Sequence, residues 1–257
     1  MIPPLMNTAS RKQREIAARE ELILDCAARL LGEVGYQGLS MDRVAEAVEY
    51  SKGTIYQHFD CKEDLLAGLC LRSSQDLYDL FSRAAGLDLS PRERLIAIAF
   101  AYQLFIRLHP LEFANMQTLK SATVREKTSA ENRCAMQTIE AQVMNTLTQV
   151  VRDGVSSGDL TLPQGLTCEE LIFCLWATQY GAASLGISGI PFADYGVPSI
   201  AGALQKFNNN LLDGLNWHPV SKEFDYAATQ RYLEQQVFNA ELRMLQDDAE
   251  TRQRKSS

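Results

Sequence analysis

From Ile16 onward, apolar side chains recur every three or four positions, at Ile16, Ile23, Ala27, Leu30, Leu31 and Val34, and the stripe stops at Gly35. That spacing puts them on one side of an α-helix of about 20 residues, and a glycine just past the last apolar position is a common helix stop. A shorter stripe follows, Met41, Val44, Ala45 and Val48 at i, i+3, i+4 and i+7, with Ser40 placed to cap it. Four residues later Lys52 to Phe59 form another short segment with Ile55 and Phe59 on its inner face. Two short helices joined by a tight turn after a longer one predict a helix-turn-helix unit.

The pattern changes after Lys62 to long amphipathic stripes, which predict helices over 62–85, 91–108, 111–120, 124–156, 168–187, 198–217 and 221–251. Ser90-Pro91 supplies a cap and a first-turn proline, and Thr167-Cys168-Glu169-Glu170 has the spacing of a capping box. His109-Pro110 separates one helix from the next, and a Gly- and Pro-rich loop separates those at 168–187 and 198–217. Alternation with period two is almost absent, so the fold class expected is all-α. Three parts are expected: an N-terminal arm and helix-turn-helix domain over 1–62, a larger helical regulatory and dimerisation domain over 63–217, and an additional amphipathic helix and tail over 218–257. Phe224, Ala228, Phe238, Leu242 and Leu245 give that last part an apolar side, which predicts that it docks on the body or across a dimer; a free charged tail is the alternative for its last residues.

Charge narrows the functions this pattern allows. The chain has 257 residues, with 25 Lys plus Arg against 32 Asp plus Glu and a formal net charge of −7. That excludes a sequence-blind polyanion binder, whose affinity comes from excess basic charge. Any contact with DNA has to be local. Residues 20–62 hold eight acids against four bases, whereas Arg11, Lys12, Arg14 and Arg19 in the arm outnumber Glu15. Such arms enter a minor groove or follow the backbone, or remain as solubilising tails. The six cysteines include no C-x-x-C pair, so reduced thiols in a cytoplasmic protein are expected rather than disulfides or a metal site. No apolar window reaches the length of a membrane span. His58, His109 and His218 lie in no nucleophile or metal motif and no Gly-rich phosphate loop is present, so neither an enzyme nor a cofactor is expected.

The candidate chemistry sits in Ser51-Lys52-Gly53-Thr54-Ile55-Tyr56-Gln57-His58-Phe59, which contains no acid. Ser40, Ser51 and Thr54 place short hydroxyls and backbone N–H groups at helix N-termini, where the dipole favours phosphate. Lys52 lies in the first turn of the second short helix, from which a recognition helix reaches base edges. Tyr56 and His58 are expected to flank its exposed side, and Lys62 starts the next helix. Together with Gly38, Ala45, Leu65 and Leu66 in the same order and spacing, this stretch resembles the DNA-binding segment of the tetracycline-repressor (TetR/AcrR) family of bacterial transcriptional regulators. The resemblance covers about 50 residues. It implies backbone contacts from Thr54, Tyr56, His58 and Lys62 and base reading by Lys52, with Ser40, Ser51, Gly53 and Gln57 completing the DNA-binding candidates. Two departures stand out. Glu49-Tyr50 replaces a Gly-Val common in the turn, and Asp42 takes a position where some relatives carry a base.

The resemblance extends into the helical body. Trp176-Ala177-Thr178-Gln179-Tyr180-Gly181-Ala182-Ala183-Ser184-Leu185 is similar to a dimer-helix signature of one subclass, with Tyr180 in place of its histidine, and Gly214-Leu215-Asn216-Trp217 to the end of a second dimer helix. A homodimer on a palindromic double-stranded DNA operator is therefore implied, most simply a repressor released by a small, apolar effector. Candidate cavity residues are Phe100, Phe105, Phe113, Met116, Met144, Phe173, Trp176 and Tyr180, with Arg107, His109 and Gln117 as polar anchors. The alternatives are a regulator sensing through Cys134, Cys168 or Cys174, a DNA-binding regulator without a small-molecule ligand, and a protein-interaction module without DNA binding.

Overall fold

A computed structural model describes residues 8–119 and 126–256, and all regular secondary structure among the described residues is helical. In chain order the helices are α1 (Thr8–Gly38), α2 (Met41–Ala47), α3 (Lys52–Tyr56), α4 (Lys62–Ala85), α5 (Pro91–Leu108), α6 (Pro110–Leu119), α7 (Ala130–Ser156), α8 (Cys168–Gly186), α9 (Ile200–Gly214), α10 (Tyr226–Tyr232) and α11 (Asn239–Ser256). They form two compact units. The first takes the chain up to Ser73 together with Leu111–Thr138; the second takes Ser74–Pro110 and the chain from Ile139 onward. The first unit is thus not contiguous in sequence, and α6 belongs to it, whereas its apolar stripe alone places it in the helical body.

In the first unit, Ile23, Ala27 and Leu31 of α1, Val44 and Ala45 of α2, Ile55 of α3, Phe59, and Leu65, Leu66 and Leu69 of α4 make one buried core. The short helices α2 and α3 are below the length at which a helix is stable alone, so this burial and their caps hold them. Ser40 Oγ accepts from Arg43 N–H at 3.3 Å and Ser51 Oγ from Thr54 N–H at 3.1 Å. Gly35 marks the end of the straight part of α1 as expected, at φ 67° and ψ 175°, and the chain turns there through a further half-helical stretch to Gly38. The start differs: the helix begins at Thr8 rather than near Ile16, and Arg11 pairs with Glu15 one turn on at 2.9 Å. The basic arm over 11–19 is therefore helical.

The second unit is built on α5, whose Ser90–Glu93 capping box and first-turn Pro91 are as the sequence indicates, as is the Thr167–Glu170 box that opens α8. The predicted helix over 124–156 starts instead at Ala130, because Ser129 Oγ accepts from Asn132 N–H at 3.2 Å; residues 120–125 lie outside the described ones. The stretch predicted as one helix over 221–251 is divided. After α10, residues Leu233–Val237 form a π-turn closed by Phe238 N–H donating to Leu233 O at 2.8 Å. Leu233 and Phe238 are both fully buried. Five residues apart, they face the same side only if the helix takes this wider turn. Phe238 packs 5.6 Å from Phe100 and under the Arg83 guanidinium, so the C-terminal segment docks on the body.

Arg92 fastens that segment. Fully buried, it donates to Trp217 O at 2.5 Å and Pro219 O at 3.0 Å, pairs with Asp213 at 2.6 Å and lies over the Tyr226 ring. Burial pushes the Asp213 carboxyl up, but the Ser221 N–H and the Arg92 guanidinium outweigh it and hold the group below the usual carboxylate range. Trp217 in turn fills the space over Gly154, where an added Cβ would stand 2.7 Å from its ring.

Candidate nucleic-acid interface and ligand cavity

Burial of Ile55 and Phe59 decides which way α3 faces. With those two inside, Lys52, Gly53, Tyr56 and Gln57 share the opposite, exposed side, Tyr56 with half of its surface free. An exposed aromatic next to a lysine on a five-residue helix serves no packing purpose within the unit. Ser51 and Thr54 are joined by a 2.9 Å hydroxyl hydrogen bond at the start of the same helix. Lys52 Nζ is directed at Asp42 Oδ2 of α2, 2.6 Å away, and both side chains are largely exposed.

Two candidates stand elsewhere than expected. His58 does not flank the exposed side; its side chain is 7% exposed and its Nδ1 lies 4.0 Å from Glu20 Oε2. His58 follows α3 by two residues in a turn whose N–H groups still bond back to α3, and its ring lies inward within reach of Glu20 of α1. Burial raises the Glu20 carboxyl above its ordinary value, with His58 partly offsetting it. Lys62 is half-buried, donating to Tyr36 O at 3.1 Å with its ammonium 4.2 Å above the Tyr36 ring. It ties the start of α4 to the last turn of α1. Glu49 adopts φ 57°, the left-handed conformation that favours glycine.

The turn after α3 is anchored through Asp64. This buried carboxylate accepts from Asp60 N–H at 3.2 Å, Ser129 N–H at 2.9 Å and Asn132 Nδ2 at 2.9 Å. Burial drives it up, but the hydrogen bonds from Ser129, Asn132 and Asp60 prevail and hold it below the ordinary range.

The ligand candidates fall into three groups. Phe113 and Met116 lie in the first unit, Phe113 buried and Met116 packed against the helix-turn-helix core, so neither lines the cavity of the body. Phe105 is fully buried with its ring 5.1 Å from that of His109, and the Tyr180 ring lies tilted 5.8 Å from that of Trp176. Phe105, His109 and Met144 line neither of the two spaces that Trp176 and Phe100 border. Trp176 does line a narrow apolar cavity of about 70 Å³ in the second unit, among Phe81, Leu95, Ile98, Leu147, Ile172 and Leu175. Phe100 and Arg107 line an adjoining chamber of about 300 Å³. Gln179 borders both, donated to by Gln103 Nε2 at 2.6 Å. Apolar periodicity alone misses Gln103, Gln179 and Asn208. A polar residue inside the apolar stripe of α8, at Gln179, is the signal that could have found them.

Phe173 and Trp176 of α8 and Phe207 of α9 are exposed, as are Leu185, Ile187 and Ile190 beyond them. Gly181 and Gly214 have no neighbouring atom within 4 Å of where a side chain would start, so packing within the chain does not require them small. Cys26 and Cys70 are buried, Cys61 and Cys168 partly so, and Cys134 and Cys174 are exposed. No single described helix is long and apolar enough to cross a membrane, and no group of three or more metal-binding side chains is found among the described residues.

Comparison with known proteins meets this geometry at the same residues. Positions 23–69 match the sequence model described as bacterial regulatory proteins, tetR family. The chain is 26% identical over 140 residues to the HTH-type transcriptional regulator YhgD of Bacillus subtilis, a match covering 54% of this chain and 71% of that protein. It is 40% identical over 55 residues to the HTH-type transcriptional repressor AcnR of Corynebacterium diphtheriae, which covers 21% of this chain and 29% of the other. The fold superposes on the TetR family transcriptional regulator PfmR from Thermus thermophilus with a TM-score of 0.57 at 21% identity, over 75% of this chain and 98% of that one. Buried core, capped short helices and the exposed face of α3 define a helix-turn-helix DNA-binding transcriptional regulator, a class that is not enzymatic. At residues 23–69 the chain carries the DNA-binding segment described for the tetR family of bacterial regulatory proteins.

Proposed function

We propose that the protein is a repressor that binds a palindromic operator as a homodimer and is released by a small, largely apolar effector. The observation that carries the reading is the division of α3 and the turn that follows it into a buried side, Ile55 and Phe59, and an exposed side, Lys52, Gly53, Tyr56 and Gln57. Tyr56, Thr54, Ser51 and Ser40 meet phosphates and sugars and Lys52 reaches base edges, the distribution of roles that positions a recognition helix and gives it specificity. His58 and Lys62 act on DNA by holding α3 and α4 in place. Two such helices have to lie about one turn of DNA apart, roughly 34 Å, which needs a twofold dimer.

The dimer reading is supported by the exposed Phe173, Trp176 and Phe207 and by the open surroundings of Gly181 and Gly214. Small residues beside exposed aromatics let helices of two copies approach closely. The effector reading is supported by the apolar cavity and the buried amide pair beside it. Effector binding stabilises one arrangement of the dimer over another and so changes how the recognition helices fit DNA.

Sedimentation and operator titration of two variants test this. Gly181→Arg is expected to give a folded monomer with operator affinity reduced at least about tenfold, since one half-site is then engaged at a time. Tyr56→Ala is expected to give a dimer with weakened operator binding. A Gly181→Arg protein that remains dimeric, or a wild type that sediments as a monomer at micromolar concentration and on DNA, contradicts the proposal.

A further inference from the structure

The chamber beside the apolar cavity is walled from two sides. Gln103 and Arg107 of α5 and Gln179 of α8 form one; Gln230, Glu234 and Leu242 of the C-terminal segment form the other. Gln230 accepts from Gln205 of α9 and donates to Glu234 Oε1 at 3.0 Å, so a chain of hydrogen bonds fastens this second wall to the body. The chamber is not merely a gap under a docked tail, because its polar groups are under-used. Gln179 is 7% exposed, and its bond to Gln103 leaves each amide further capacity to donate or accept. Asn208, which borders both spaces, has its Oδ1 buried without a hydrogen-bond partner among the described residues. Arg107 has no ion-pair partner among the described residues. Asn208 Oδ1 calls for a donor, which a carboxylate does not supply; the donors open to one are the amide N–H of Gln179 and the exposed Arg107 guanidinium.

We propose that residues 226–242 are part of the effector site, and that the effector is an amphipathic acid whose slim apolar portion fills the cavity while a single carboxylate lies in the chamber. Arg107 and the amide of Gln179 hold the carboxylate, Gln230 and Glu234 close it in, and its binding tightens the docking of the C-terminal segment. The lining sets the charge of the head group. The chamber of about 300 Å³ admits a carboxylate. Glu234 on the far wall disfavours a multiply charged one. The inference rests on the effector reading above and adds to it the wall, the head group and the coupled element.

The test uses the full chain with medium- and long-chain straight-chain carboxylates and the primary alcohols of the same lengths. Isothermal titration gives affinity, and hydrogen exchange gives protection of residues 226–242. The carboxylates are expected to bind and to slow exchange in that segment. Arg107→Ala is expected to weaken the carboxylates about tenfold, the loss of a charge-assisted hydrogen bond, while leaving the alcohols unchanged. Gln230→Ala is expected to weaken both and to abolish the added protection. Binding without added protection, or an Arg107→Ala protein that treats acids and alcohols alike, overturns the proposal and leaves the effector reading standing. Failure of every acid and alcohol to bind the wild type overturns both.

Discussion

Lys52 Nζ and Asp42 Oδ2 are 2.6 Å apart, so the lysine best placed to read DNA is engaged by a carboxylate from the preceding helix. Binding DNA requires that pair to open or to share a phosphate-lined surface with a negative charge. Asp42→Asn is therefore expected to raise operator affinity several-fold and to steepen the dependence of affinity on salt by about one counterion. Both side chains are largely exposed, and the thermal midpoint is expected to stay where it is. Fluorescence anisotropy across a salt series checks this; weaker binding by Asp42→Asn is the contrary result.

Glu49 stands at φ 57° in the turn between α2 and α3. A side chain in the left-handed region costs roughly 1 kcal/mol, partly recovered in the unfolded chain by its smaller freedom relative to glycine. Glu49→Gly is expected to stabilise the protein by about 0.5–1 kcal/mol and to remove one negative charge next to α3. Urea midpoints measure the gain; a loss of stability shows that Glu49 makes compensating contacts.

Asp64 links stability to pH. Because its folded carboxyl is held below the ordinary value of 3.8, its contribution is complete above that value and is lost as pH falls through the lower, folded one. Asp64→Ala leaves the Ser129 and Asp60 N–H groups without this acceptor and is expected to cost about 2–3 kcal/mol at neutral pH. The variant's stability is also expected to fall less steeply than the wild type's below about pH 4. Denaturant titrations across that range provide the comparison, and parallel curves contradict the assignment.

Thiol labelling separates the cysteines. Cys134 and Cys174 are exposed, whereas burial pushes the Cys70 thiol up to about 12. A disulfide reagent at neutral pH is expected to modify Cys134 and Cys174 quickly and to leave Cys26 and Cys70 untouched in the folded protein. If operator binding survives that modification, sensing through Cys134 or Cys174 is excluded.

The faces of α1, α2 and α3 follow from apolar spacing alone, because Ile23, Ala27, Val44 and Ile55 have no other way to be buried, and the caps at Ser40, Ser51, Ser90 and Thr167 are local patterns of a few residues. The places of His58 and Lys62 are not legible in this way, because they depend on Glu20 and Tyr36, distant in the chain, with which they have no periodic relation. Phe113 and Met116 carry the same apolar signal whether they line a cavity or cover the helix-turn-helix core. The π-turn at Leu233–Val237 is hidden because a helical stripe assumes a constant period. The amide pair Gln103–Gln179 joins residues 76 positions apart, and only the fold brings them together.

Whether the exposed side of α3 binds DNA is measured most directly by gel retardation of the genomic fragment flanking the coding gene, with wild type and Tyr56→Ala compared at low salt. A discrete shifted band is expected for the wild type and at least about tenfold weaker binding for the variant, with helicity unchanged and affinity falling steeply as salt is raised. A wild-type protein that retards neither that fragment nor any other from the genome, or a Tyr56→Ala protein that binds as tightly as the wild type, contradicts it.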